Sequence, residues 1–168
     1  MIENNLAFLK DAFPEHQIQF SDDFTDATIF NPFYEENITV SYDEALSFDP
    51  FCACFSFQHR HLIDENDVIN WINDIISGNR FAIEFFKNEQ RCFGGDIEAA
   101  ELKDLSYAKL EQSTGYYGFT KLLDVADSFK IRGWERRNNW NAVFVQEPDG
   151  TVAIQQHNCP IIVSPSRA

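Results

Sequence analysis

Residues Phe51–His61 read FCACFSFQHRH, and the way this stretch folds sets the architecture of the chain's middle. It holds two cysteines spaced Cys-x-Cys and two histidines spaced His-x-His. The density of apolar and β-prone residues predicts a strand within a sheet. In one regular strand alternate side chains share a face. Cys52, Cys54, Ser56 and Gln58 then fall on one side, and Phe51, Ala53, Phe55, Phe57, His59 and His61 on the other. That parity separates thiols from imidazoles. A tetrahedral Cys2His2 site would need a turn or bulge between Ser56 and His59. On this reading no metal ligand is assigned, and free thiols beneath a helix with a Phe ladder on the other face are expected.

Outward from this stretch the signals alternate between short strands and helices. NNLAFLKDAF reads as a helix with Leu6, Leu9 and Phe13 on one stripe and Pro14 as its stop. QIQF, ATIF and ITVSY read as strands separated by acidic loops. DENDVINWINDIISGN is the clearest helix: Asp64 caps it, Asp67 lies in the first turn, and Gly78 ends it. Its apolar stripe is Val68, Trp71, Ile72 and Ile75, which predicts a buried Trp71.

RFAIEFF, a turn near KNEQ, and RCFGGDIE form a hairpin, with Gly94-Gly95 read as a strand irregularity. AAELKDLSYAKLEQS is ambiguous. TGYYGFTKLLDVADSF is predicted as a helix with Phe119, Leu122, Leu123 and Ala126 inside. FKIRGWE and WNAVFVQEPDGTVAIQQHN give the last strands, the final pair joined at Pro148-Asp149-Gly150. The expected fold is α+β: one globular domain over residues 1–168, mainly antiparallel sheet with a few packed helices. A hydrophobic content of 44% with 17 Phe supports a packed interior.

Charge is the strongest global feature. The formal net charge is −14, from 27 acids against 13 bases. Residues 11–59 contain ten acids and no Lys or Arg. A nucleic-acid or anionic-membrane binder needs the opposite sign, so neither is expected as a partner. FKIRGWERRNNW is the one basic aromatic patch, with Lys130, Arg132, Arg136 and Arg137 among Trp134 and Trp140. Its expected use is pairing with the protein's own acidic segment, and a contact surface for another protein comes second.

The segment after Met1 lacks the basic start and apolar run of a secretory signal, and no run approaches a membrane span. A soluble cytosolic protein is expected. Four cysteines, Cys52, Cys54, Cys92 and Cys159, are too sparse for a disulfide scaffold.

No phosphate loop, dinucleotide fingerprint, HExxH or nucleophile elbow is present, so no cofactor or catalytic residue is assigned. A small acidic chain without catalytic motifs resembles bacterial immunity proteins in type, though in no motif. That likeness implies an inhibitor that docks on a basic partner, such as a nuclease toxin. The expected partner-binding residues are Asp22, Asp23, Asp26, Glu35, Glu36, Asp43, Glu44 and Asp49, in loop-like sequence free of compensating cations. The competing reading is a small enzyme whose site gathers His59 and His61 with acids such as Glu84 or Asp96. An adaptor subunit is a third.

Overall fold

The computed structural model describes residues 5–46, 48–56, 58–114 and 121–157, with Thr114 described through its backbone only. The fold is α+β, and the described residues form two antiparallel five-stranded sheets with five short α-helices. α1 (Phe8–Ala12) is shorter than its apolar stripe, but Leu6, Leu9 and Phe13 are all buried as the spacing demands.

The first sheet is a simple meander: β1 (Ile18–Phe20), β2 (Asp26–Ile29), β3 (Ile38–Tyr42), β4 (Phe51–Phe55) and β5 (Gln58–Leu62). Period-two patterning decides its faces. Ala27, Ile29, Ile38, Val40, Phe51, Ala53 and Phe55 point into a core, while Thr39, Ser41, Cys52 and Cys54 point away from it. Over that core lies α2 (Glu65–Ile76), which buries Val68, Trp71, Ile72 and Ile75. Its first turn is held by the Asp67 N–H, which donates to Asp64 Oδ1 at 2.9 Å. Its stop is Gly78, whose φ of +73° few side-chain-bearing residues adopt.

The stretch FCACFSFQHRH departs from the single-strand expectation. It is a hairpin, because Ser56 takes φ 56° and reverses the chain. Phe57 lies outside the described residues. The reversal resets the parity: Cys54 pairs with His59 and Cys52 with His61, so thiols and imidazoles share one face. A run of alternating residues carries no mark of where a two-residue reversal falls when neither residue is Gly, Asn or Asp.

The second sheet has the order β10-β9-β8-β6-β7, from β6 (Arg80–Lys87), β7 (Gln90–Glu98), β8 (Ser128–Arg132), β9 (Trp140–Gln146) and β10 (Val152–His157). Asn88 and Glu89 form the β6–β7 turn with φ of 49° and 66°, the twist a tight hairpin needs. The strand irregularity expected at Gly94-Gly95 sits instead beside Cys92: Phe85 pairs with Phe93 and Phe86 with Arg91, while both glycines pair in regular register.

Both faces of β6 are covered, which explains its continuous apolar run. Phe81, Ile83 and Phe85 enter a second core, and Ala82 joins the first together with Trp134. The second core is closed by α3 (Ala99–Lys103), α4 (Tyr107–Thr114) and α5 (Leu122–Val125). The ambiguous segment is thus two helices. The long helix expected over TGYYGFTKLLDVADSF is four residues within the described part, and Phe119 lies outside it. Tyr107 and Glu111 fix α5: the Leu122 N–H donates to Glu111 and the Leu123 N–H to the Tyr107 hydroxyl, both at 2.9 Å.

Where the two sheets approach, Asp96 on β7 accepts from Arg60 of β5 at 3.2 Å and also from Arg80 of β6. Asp74 of α2 and Glu98 of β7 flank Arg80 at 3.6 and 3.5 Å.

Candidate functional site

The meander sorts the eight expected partner-binding acids into two groups. Successive connections of an antiparallel sheet fall at alternate ends. Asp22, Asp23 and Asp26 at the β1–β2 turn therefore lie at the same end as Asp43, Glu44 and Asp49 in the β3–β4 loop. A bond from the Tyr42 N–H to the Thr25 carbonyl ties these two connections together. β5 also finishes at this end, which adds Asp64 and Glu65 at the start of α2. Glu35 and Glu36 belong to the β2–β3 loop at the opposite end, so the structure does not bring all eight together.

Within the main group the roles differ. Asp23 accepts from the Ser21 and Thr25 hydroxyls at 2.7 and 2.8 Å, and these bonds, Ser21 first, hold its carboxyl below the usual range. Asp26 begins β2 rather than lying in a loop, and accepts from the Ser41 hydroxyl of β3 at 2.5 Å. Asp43 accepts the Ala45 N–H at 2.9 Å. Asp23 and Asp43 stabilise their own turns, and Asp26 ties the β1–β2 turn to β3. Asp22, Glu44 and Asp49 are exposed and carry no hydrogen bond or ion pair among the described residues.

The same end displays apolar side chains that charge reasoning missed. Phe24, Leu46, Phe48 and Ile63 are the large hydrophobics exposed there, with Phe48 86% and Ile63 65% accessible. Leu46, Phe48, Asp49 and His61 line one shallow depression. Asp49 and His61 also line the next, together with Ile63, Asp67 and Trp71. The signal was present in the sequence as bulky apolar residues inside acidic loops, where strand periodicity gives them no buried position.

The alternative constellation is not assembled. His59 and His61 stand on the outer face of β5, their rings 5.6 Å apart, while Arg60 between them points the other way to Asp96. Glu84 lies on the second sheet, 4% exposed, with Arg91 Nε at 3.5 Å and no hydrogen-bond partner for Oε1 among the described residues. Burial raises its carboxyl, against the pull of Arg132 and Arg91.

Cys52 and Cys54 are half-buried free thiols, and burial with the neighbouring Cys54 pushes Cys52 up to about 11. They share a face with the two histidines, which corrects the parity argument. Among the described residues, no group of three or more His, Cys, Asp or Glu side chains is placed to hold a metal ion.

The basic aromatic patch is dismantled by packing. Trp134 is 2% exposed in the first core, and Trp140 packs edge-on against Phe129 at 5.4 Å. Lys130 covers the Phe86 ring at 4.3 Å, and Arg137 pairs with its neighbour Glu135. The acidic segment does meet this stretch, through neutral bonds: Asn31 Nδ2 donates to the Trp134 carbonyl at 2.8 Å, and the Tyr34 hydroxyl donates to the Gly133 carbonyl.

These features define an α+β chain whose first sheet ends in an acidic, partly apolar surface. No protein-family model, no curated protein sequence and no solved structure matches it. Among the described residues no helix is long and apolar enough to cross a membrane.

Proposed function

We propose that the protein is an acidic binding protein that docks on a basic partner through this end of the first sheet. Of the inhibitors such chemistry serves, an immunity-type protein that neutralises a basic toxin such as a nuclease fits best. The observation that carries the reading is the coincidence, at one end of one sheet, of uncompensated carboxylates with four exposed large hydrophobics. Charge alone speeds encounter and sets orientation. A large apolar anchor such as Phe48 supplies the short-range energy that holds a complex together. Solubility explains acids, but an exposed phenylalanine works against it.

The test compares wild type with two variants in capture from native-cell extract, followed by stopped-flow binding of the purified partner. In one variant Asp22, Glu44 and Asp49 become amides, and Asp23, Asp26 and Asp43 stay to hold their turns. The other is Phe48→Ser. The reading expects a basic polypeptide retained by wild type, slower association in the amide variant, and faster dissociation in Phe48→Ser. Retention of the same partner with unchanged rates in both variants would sink it.

A further inference from the structure

A cavity of about 560 Å³ opens between the second sheet and α3 and α4. Its volume falls in the range of small-molecule sites. Ile83, Phe85, Phe93, Leu105 and Leu110 form an apolar body, with Phe85 and Phe93 stacked at 4.6 Å.

Two adjacent glycines of β7 line it, and they differ in kind. At Gly94 a Cβ would stand 2.9 Å from the Ile83 carbonyl oxygen, so close backbone approach requires glycine there. At Gly95 the nearest atom to a Cβ would be Ile83 Cγ2 at 3.8 Å, an ordinary contact, and the backbone needs no left-handed conformation. Gly95 pairs with Ile83, so it belongs to the face that forms the second core. A strand gains from a side chain at such a position. What the glycine secures is open space.

Polar groups at the rim are mostly committed. Asp96 is bound by Arg60 and Arg80, Glu101 accepts the Glu98 N–H at 3.0 Å, and Gln58 Nε2 donates to the His59 carbonyl. The Ser113 hydroxyl donates to the Leu110 carbonyl at 2.9 Å. The Lys109 ammonium and the Gln112 amide, both at the exposed mouth, have no side-chain partner among the described residues. An ammonium with an adjacent amide donor suits a carboxylate.

We propose that this cavity binds a small amphipathic carboxylate, its apolar body over Gly95 and between Phe93 and Leu110, its carboxylate at Lys109 and Gln112. The proposal is independent of the docking surface.

The test titrates the full chain with phenylbutyrate and with the uncharged phenylbutanol, up to about 5 mM. Methyl resonances of Ile83, Ile97, Leu105 and Leu110 report the site. Saturable one-to-one shifts of these methyls by phenylbutyrate are expected. Lys109→Gln, at an exposed position, should weaken phenylbutyrate roughly tenfold, to the level of the alcohol. Gly95→Val should abolish both while the melting temperature stays level or rises. Three results overturn the proposal: no saturable shift with phenylbutyrate, equal affinity for it in Lys109→Gln, or wild-type binding in a folded Gly95→Val.

Discussion

Trp71 offers a quantitative check on the first core. It is 4% exposed on the buried stripe of α2, yet its indole N–H is buried without an acceptor among the described residues. Truncation of a buried Trp to Ala costs about 3–5 kcal/mol. An unmet buried donor already costs the native state about 1–3 kcal/mol, and truncation removes that liability with the ring. Trp71→Ala should therefore fall near the lower end, at about 3 kcal/mol.

Phenylalanine keeps most of the apolar contact and also deletes the N–H, so Trp71→Phe should cost less than about 1 kcal/mol. With a urea m-value of roughly 2 kcal/mol/M, the midpoint should drop by about 1.5 M for alanine and under about 0.5 M for phenylalanine. Far-ultraviolet circular dichroism reads both, since it does not depend on the deleted fluorophore. If Trp71→Phe falls as far as Trp71→Ala, the N–H is satisfied in solution and the accounting is wrong. An alanine variant that unfolds like wild type would mean that α2 does not pack through this stripe.

Ser56 combines a positive φ with a buried hydroxyl that has no partner among the described residues, so Ser56→Gly should raise stability by about 1 kcal/mol in thermal melts. A lower melting temperature would argue against the tight reversal. Cys52, pushed up to about 11, has a thiolate population of roughly one in a thousand at pH 8, so its alkylation should accelerate about tenfold per pH unit until near that value. Site-resolved mass spectrometry checks this, and a pH-independent rate from pH 8 to 10 would contradict it.

Glu84 is raised by burial, so the proton is held more tightly in the fold than in the unfolded chain. The stability it contributes is full below the unfolded value and is lost as pH rises through the folded one. Glu84→Gln should therefore gain on wild type as pH climbs from about 4.5, in melts across that range. A gap that narrows with rising pH would show that Arg91 and Arg132 outweigh burial.

The parts of the fold that could be read from the chain are those where one local signal dominates. α2 carries cap, stripe and stop together, and the β9–β10 turn carries Pro148 and Gly150. Two features could not be read for opposite reasons. The β4–β5 reversal uses Ser56, which has no turn preference strong enough to interrupt an alternating run, so a single strand was the natural parse. Glycine often marks a bulge, so the sequence points to Gly94-Gly95 for the irregularity in β7, whereas Gly94 answers close approach to the Ile83 carbonyl. Of the candidate site, the acids of the β1–β2 and β3–β4 connections were legible from composition. Their convergence at one end required the meander, and the separation of Glu35 and Glu36 follows from the same topology. The exposure of Phe48 and Ile63 is signalled only by their place in acidic loops, and an apolar residue there is told from core only once the surrounding strands are placed.

The two proposed surfaces also divide the molecule electrically. Ten acids and no base occupy residues 11–59, so this segment, most of it in the first sheet and its loops, holds −10 of the chain's −14, while the second sheet and its helices mix both signs. A distribution this uneven has a dipole as well as a net charge. On the proposed reading, a basic partner approaching within roughly a Debye length of ~8 Å would be turned as well as attracted. At the acidic end Asp23, Asp26 and Asp43 are spent on turns, and Asp22, Glu44 and Asp49 remain for the field. The exposed Phe24, Leu46, Phe48 and Ile63 stand where such steering would deliver the partner. The cavity proposed for a carboxylate lies on the sheet with mixed charge, where an anionic ligand would meet Lys109.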